Sequence, residues 1–386
     1  MEFDIVIVGA GLVGASFARA LDGIGLKIAL VDPGTPPPVS DAWDSRIYAI
    51  SPGSAAFLAG IGAWQALDAS RVQPVRRMEI FGDAPDAHLT FSAYDSGVAE
   101  LASIVESGRL QRSLWDGLVA QSDLQRFAPA RCTGLTIAAG EAMLTLDGGE
   151  QIAAQLVVGA DGASSWVREH AGLAAVASGY GERGVVANFA CALAHHGTAY
   201  QWFRPDGVLA YLPLPGARMS MVWSTPDDHA EALLGLAPDA LCEKVADAGR
   251  RVLGPLEVLT PPAAFPLQLL VADRVVAPRI ALIGDAAHVV HPLAGQGVNL
   301  GFGDARALAD TVRSREPFRD CGDLALLRRY ARARAGAVLA MGRVTDGLRS
   351  LFAARSRLIS GIRNEGLNLT DRIPVLKNLL VRQALG

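Results

Sequence analysis

Three segments of this 386-residue chain, far apart in sequence, place glycine directly after an apolar run, two of them with aspartate beside it. The first is Gly9-Ala10-Gly11-Leu12-Val13-Gly14, preceded by Phe3–Val8. Its G-x-G-x-x-G spacing, between a strand and a helix, is that of a dinucleotide-binding turn. Gly9 permits the tight turn, Gly11 lets the backbone approach a pyrophosphate, and Gly14 lets the helix pack on the strand. The start of that helix offers free N–H donors and a partial positive charge to phosphate. Asp32 follows Gly14 by 18 residues. A carboxylate there accepts hydrogen bonds from ribose hydroxyls and disfavours a 2′-phosphate. The bland alternative is a glycine-rich turn without a ligand; the strand, the helix and Asp32 together weigh against it.

The second segment is Gly159-Ala160-Asp161-Gly162, followed by Ser165 and Arg168. Taken alone it is an Asp-Gly turn capping a helix. The third, from Gly284-Asp285 to Leu300, is the most specific. A strand ends in Gly284 and Asp285, a loop carries Pro292, Gly295 and Gln296, and a helix starts near Val298 and runs to about Asp310. The Asp285 carboxylate suits a second ribose or a ribityl chain. The N–H groups at Gly297 and Val298 face out of the helix start, where they stabilise an anion.

These corners need elements to hold them. Phe3–Val8, a helix over 12–22 and a strand over 27–31 make one βαβ unit. The loop 33–38 follows it. Residues 156–158 and 280–283 are short apolar runs and are expected as further strands of the same sheet. Residues 185–193, 200–204, 208–212 and 219–224 are strand-like runs separated by Gly- and Pro-bearing turns, the pattern of an antiparallel second lobe. Residues 74–94 are expected to add strands to it. In that lobe Trp202, Phe203, Tyr211 and Trp223 are either pocket walls or ordinary sheet core. From about 321 the chain is helical, with Leu327, Tyr330, Val338, Met341, Leu348 and Phe352 at helical spacing.

The fold class is therefore α/β: a Rossmann-like dinucleotide-binding domain, a second antiparallel-sheet substrate domain and a helical C-terminus. The first is expected over 1–73, 95–180 and 270–320, the second over 74–94 and 181–269, and the helices over 321–386.

Composition narrows the function classes. Hydrophobic residues are 51% and charged residues 19%, which excludes intrinsic disorder. The net charge of −4 argues against a nucleic-acid binder. Cys132, Cys191, Cys242 and Cys321 are scattered, without a C-x-x-C pair, so neither a zinc ribbon nor a disulfide framework is expected. The acidic start Met1-Glu2-Phe3-Asp4 is unlike a signal peptide, and no apolar run is long enough to span a membrane. A cytoplasmic protein is expected. From residue 324 onward 12 basic residues face 3 acidic ones, so a peripheral contact with the inner face of an anionic membrane, or with partner proteins, is a second expectation; the alternative is a solvated helix face. His195-His196 is expected on a surface loop, His288 as structural, and His291 either at the ligand or on a loop carbonyl.

The three motifs, in this order and spacing, resemble the aromatic-ring hydroxylase family of class A flavin monooxygenases. Residues 44–58 (DSRIYAISPGSAAFL), 159–169 (GADGASSWVRE) and 284–305 (GDAAHVVHPLAGQGVNLGFGDA) are similar to the ubiquinone-biosynthesis hydroxylases within it. The resemblance covers nearly the whole chain. It implies that Gly9, Gly11, Gly14 and Asp32 hold the adenosine half of FAD and that Arg46 reaches its phosphates. It links Asp161 and Gly162 to FAD and to a transient NAD(P)H. It assigns Gly284 and Asp285 to the ribityl or phosphate region, and Pro292, Gly295, Gln296, Gly297, Val298 and Asn299 to the isoalloxazine ring. Trp202, Tyr211 and Trp223 become candidate substrate contacts. Ser107 departs from the asparagine of many relatives.

The chemistry so implied is hydroxylation of a polyprenylated phenol. NAD(P)H reduces FAD, dioxygen adds at the flavin C4a carbon, and the hydroperoxide delivers a hydroxyl to the ring in a site that must stay dry. A single G-x-G-x-x-G fits an enzyme whose NAD(P)H docks without a Rossmann site of its own. No catalytic acid or base is named. Competing readings are a hydroxylase of a small soluble phenol, a halogenase (no W-x-W-x-I-P is present), a prenyl reductase, and a non-catalytic prenyl-binding protein.

Overall fold

The structure is a computed structural model that describes residues 1–84, 87–290 and 297–353, with side chains to residue 339. His291, Pro292, Gly295 and Gln296, and the tail beyond 353, lie outside the described residues.

In chain order the elements begin with β1 (Glu2–Val8), α1 (Leu12–Ala20), β2 (Ile28–Val31), β3 (Ile47–Ile50) and α2 (Pro52–Gly60). Next come β4 (Gln73–Val75), β5 (Arg77–Phe81), β6 (His88–Ser92), α3 (Ala93–Ser96), β7 (Ala102–Glu106) and α4 (Ser107–Ala120). Then follow β8 (Leu124–Phe127), β9 (Cys132–Ile137), β10 (Ala142–Leu146), β11 (Gln151–Gly159) and α5 (Trp166–His170). The second lobe adds β12 (Ala175–Cys191), β13 (Thr198–Arg204), β14 (Gly207–Leu214), β15 (Arg218–Pro226), α6 (Asp227–Leu234) and α7 (Pro238–Ala248). The chain closes with β16 (Leu256–Val258), β17 (Ala263–Ala272), β18 (Val276–Ala277), β19 (Ile280–Leu282), β20 (His288–Val289), α8 (Gly297–Arg313) and α9 (Leu324–Ala353).

The described residues form three sheets. In the first, β19, β11, β1, β2 and β8 lie side by side and parallel, with β9 and β10 attached to β11. Ile5, Val6 and Ile7 of β1 are buried on both faces, which is why the strand is a continuous β-branched run. One face is covered by α1, α4, α8 and the start of α9, through Phe17, Leu114, Phe302 and Tyr330. Full burial of a side chain such as Phe17 contributes about 1.5–3 kcal/mol.

The second sheet runs β20-β17-β12-β15-β14-β13-β5-β6, with β5 and β6 joining as expected from residues 74–94. The third, β3-β7-β4, packs against the second through Ile47, Ala49, Ile104, Ala199, Leu212 and Leu214. The lobes share strands: β12 continues through residues 180 and 181, where its register against β17 shifts between Gly179 and Arg183, and β17 continues through 269 and 270. Among the described residues no helix is long and apolar enough to cross a membrane.

Candidate functional site: a cleft at the ends of three parallel strands

The chain order of the parallel sheet reverses at β1, with β2 on one side and β11 on the other. In open α/β sheets ligands bind at such a switch point, beyond the carboxyl ends of the strands. Each glycine-aspartate corner sits at one of these ends. Ala160 N donates to Val8 O at 2.8 Å, and Ile283 N donates to Gly159 O at 3.0 Å, so the corners after β1, β11 and β19 adjoin one another.

The first corner shows why its glycines differ. Gly9 has φ +103°, and a Cβ there would overlap the Ala160 carbonyl. A Cβ on Gly14 would overlap the carbonyl of Gly9, so helix and turn touch backbone to backbone. A Cβ on Gly11 would meet nothing within 4 Å. That open space lies at the N-terminus of α1, which no side chain caps. An unfilled approach beside uncapped N–H donors fits a pyrophosphate. The Asp32 carboxylate accepts hydrogen bonds from Ala10 N (2.7 Å) and Gly34 N (2.9 Å), which fixes it at the end of β2 beside this opening.

The second corner is differently occupied. Asp161 accepts from Ser165 Oγ (2.5 Å) and from Val167 N (3.0 Å), so its carboxylate caps α5, the bland role foreseen for it. Gly162 supplies the turn at φ +83°. Arg168 ties this corner to the third by donating to Ala286 O at 2.9 Å.

In the third corner Asp285 is solvent-exposed, yet enough protein surrounds it that burial pushes its carboxyl above the usual range. A carboxylate that is accessible yet partly desolvated belongs to a concave surface. His288 and Arg46 partly offset that shift. Arg46 and Asp285 also act on the Tyr48 phenol, which is raised by burial and bonds to Ser107. Arg46, Tyr48, Ser107 and Asp285 therefore gather on one wall, although residues 46–48 are far from 285 in sequence. Tyr48 was not anticipated; its only signal was its place in the 44–58 segment.

The loop carrying Arg46 is held from below. Buried Glu106 accepts from Arg71 Nη2 (2.7 Å), Arg109 Nε (3.0 Å) and Asp44 N (2.9 Å). Asp44 in turn accepts from Arg46 N (2.8 Å) and Gly108 N (2.9 Å). Asn299 bonds backbone through its amide: Ser51 N donates to it at 2.9 Å and it donates to Ala49 O at 2.8 Å. It fastens the β3–α2 corner to α8, whose first turn contains half-buried Gly297 and Val298.

The second sheet corrects the expected pocket walls. Trp202, Tyr211 and Trp223 are buried with Leu233, Leu241 and Val245 on the side covered by α6 and α7. They are core, because alternate strand residues point to opposite faces. The other face carries Gln201, Val208, Ala210, Leu212 and Val222, all half-buried and uncharged, on the side that meets β3. Phe203, also on that face, is buried. His195 is another correction: it is buried, bonded to Leu214 O and Gly197 N, while His196 is exposed.

Comparison with known proteins agrees with this geometry. Residues 2–344 match the FAD binding domain family. The chain is 35% identical to the 3-demethoxyubiquinol 3-hydroxylase of Escherichia coli over 388 residues, covering 99% of this chain and 98% of that one. It is 33% identical to the ubiquinone hydroxylase UbiL of Rhodospirillum rubrum, covering 99% and 89%. A variant of P. aeruginosa PqsL shares the fold, with a TM-score of 0.80 at 23% identity over 96% of this chain and 100% of that one. With the switch-point cleft, the open Gly11 cradle and this similarity over the full length, the chain belongs to the FAD-dependent monooxygenase family that contains the ubiquinone-biosynthesis hydroxylases.

Proposed function

We propose that this protein hydroxylates the aromatic ring of a polyprenylated phenol in ubiquinone biosynthesis, using FAD, NAD(P)H and dioxygen. The observation that carries this reading is the uncharged wall of Gln201, Val208, Ala210, Leu212 and Val222 beside a cofactor cleft. An uncharged wall, apolar apart from Gln201, favours a greasy ring, and it contributes no cation to pair a carboxylated substrate.

Bound FAD supplies the redox chemistry, taking electrons from NAD(P)H and activating dioxygen. The chain's residues bind, orient and shield. The Gly11 backbone and the start of α1 hold the pyrophosphate, Asp32 the adenosine ribose, and Arg46 the phosphates. Asp285 holds the ribityl region. The mainly apolar wall would exclude water and keep the site dry for the chemistry that the flavin supplies. Asp161 and Gly162 act by shaping the corner that adjoins both.

The test compares a polyprenylated phenol with the same phenol lacking the tail. Burying each methylene is worth about 0.8 kcal/mol, so kcat/KM is expected to favour the prenylated substrate by at least about tenfold. Equal efficiency would point to a small soluble phenol, and a product gaining two hydrogens instead of one oxygen would make the protein a reductase. The net charge of +9 after residue 323 supports peripheral contact with an anionic membrane face of the cytoplasm, or with other quinone-biosynthesis proteins. Removing residues 366–386 is expected to reduce co-sedimentation with anionic vesicles; unchanged sedimentation would refute the membrane contact.

A further inference from the structure

A fully buried carboxylate lies beneath the third corner, and its charged partner Arg334 lies outside all three motifs. Asp304, on α8, accepts from Gly284 N at 3.0 Å and from His288 Nε2 at 2.7 Å through one oxygen. Its other oxygen accepts from Arg334 Nε of α9 at 2.7 Å. Arg334 also donates to Leu300 O at 3.1 Å, one turn before Asp304. The guanidinium lies so close over α8 that a Cβ on Gly303 would stand 2.8 Å from it. Beside it, buried Tyr330 donates to Leu282 O at 2.8 Å, the last residue of β19. Of these two α9 residues, Tyr330 holds the end of β19 directly, and Arg334 holds the Asp304 that bonds the turn before Asp285. Burial acts to raise the Asp304 carboxyl, but His288 and Arg334 more than offset it and keep it ionised.

A lone buried charge is strongly unfavourable unless paired and hydrogen-bonded. Here the carboxylate has three donors, and two of them come from the turn that presents Asp285. Gly284 sits at φ +61°, a geometry that its N–H bond to Asp304 helps maintain. We propose that Asp304, clamped by Arg334, is the positioning residue of the FAD site: it sets the Gly284–Asp285 turn and makes the first turns of α9 part of the cofactor cradle. This rests on the assignment of the cleft to FAD. It predicts that the helix following the FAD-binding sheet, far from the glycine motifs, controls cofactor affinity.

The test uses the full chain stripped of flavin, with FAD as the titrant and quenching of flavin fluorescence as the readout. Asp304→Asn removes the charge and leaves the half-buried Arg334 guanidinium without its anionic partner. The double variant Asp304→Asn with Arg334→Met removes both charges, so it relieves the unpaired cation. A positioning role predicts that the double variant regains the thermal stability of the wild-type apoprotein while its FAD dissociation constant stays raised, about tenfold or more. A shifted flavin absorption band in both variants is the accompanying signature, because the turn that contacts the cofactor has moved. Recovery of stability and FAD affinity together would make the pair a structural clamp only and overturn the proposal. Wild-type protein that fails to bind FAD would instead overturn the cofactor assignment, which separates the two failures.

Discussion

The two faces of the second sheet use different residues for different work. Under α6 and α7 the strands present Trp202, Tyr211 and Trp223, buried to within 2% of full burial. Toward β3 the same strands present Gln201, Ala210 and Val222, each half-buried. Large aromatic rings stand where packing is complete; uncharged, non-aromatic side chains stand where room is left. The first corner repeats the contrast at smaller scale. Gly14 is glycine because there is no space, and Gly11 is glycine beside space that the protein does not fill. In both places the closed position serves the fold and the open one serves a ligand.

Substitutions at closed and at open positions should therefore have opposite effects on stability and on ligand binding. Trp223→Ala should cost the most, about 3–5 kcal/mol of stability in chemical denaturation, from the lost burial and the cavity left behind. FAD affinity of the folded fraction should not change; a loss of affinity at constant stability would mean that the ring lines the site. Gly11→Val should do the reverse. Its backbone lies in ordinary extended space, and a Cβ there would meet nothing within 4 Å. Apoprotein stability should stay within about 1 kcal/mol, and FAD affinity, measured by titration, should fall at least about tenfold, or 1.4 kcal/mol. Unaltered affinity would separate the glycine hexad from the cofactor.

Ala210→Phe fills the open face. A drop of several-fold in kcat/KM for the prenylated phenol is expected, with FAD affinity intact and a melting temperature within a few degrees of wild type. A large loss of stability would show that the face is core after all. The smallest effect concerns Asp285. Its carboxyl is raised in the folded protein, so the native state holds its proton to higher pH than the unfolded chain does. The charge therefore destabilises the apoprotein increasingly as pH rises from the ordinary carboxylate range, about 4, through the raised value. Asp285→Asn should stabilise the apoprotein near neutral pH and leave it unchanged below about pH 4. Equal unfolding midpoints at both would deny that the cleft wall is desolvated.

The corners were legible because glycine spacing follows from backbone geometry, which short segments determine. Gly9, Gly14 and Asp32 stand where the hexad requires, and the strands over 156–158 and 280–283 pair beside β1 as their apolar runs suggest. The face of a strand was not legible. Residues 184–189 of β12 are buried on both sides, so alternation gives no sign of which side is the cleft, and size alone drew attention to the wrong aromatic residues. Long-range partners were also invisible. Nothing near Asp161 in sequence distinguishes a cap from a ligand contact, and nothing near Asp304 names Arg334, thirty residues on. Tyr48 and Asn299 show the same limit: their roles depend on a strand and a helix that meet only in three dimensions.

In the proposed reaction a prenylated ring receives its oxygen in the cleft where the three strands end. Incubating the FAD-loaded protein with NAD(P)H, a polyprenylated phenol and isotopically labelled dioxygen tests this directly. One labelled oxygen atom in the recovered ring is the predicted result. NAD(P)H oxidation that releases only hydrogen peroxide, with the phenol recovered unlabelled, would contradict it.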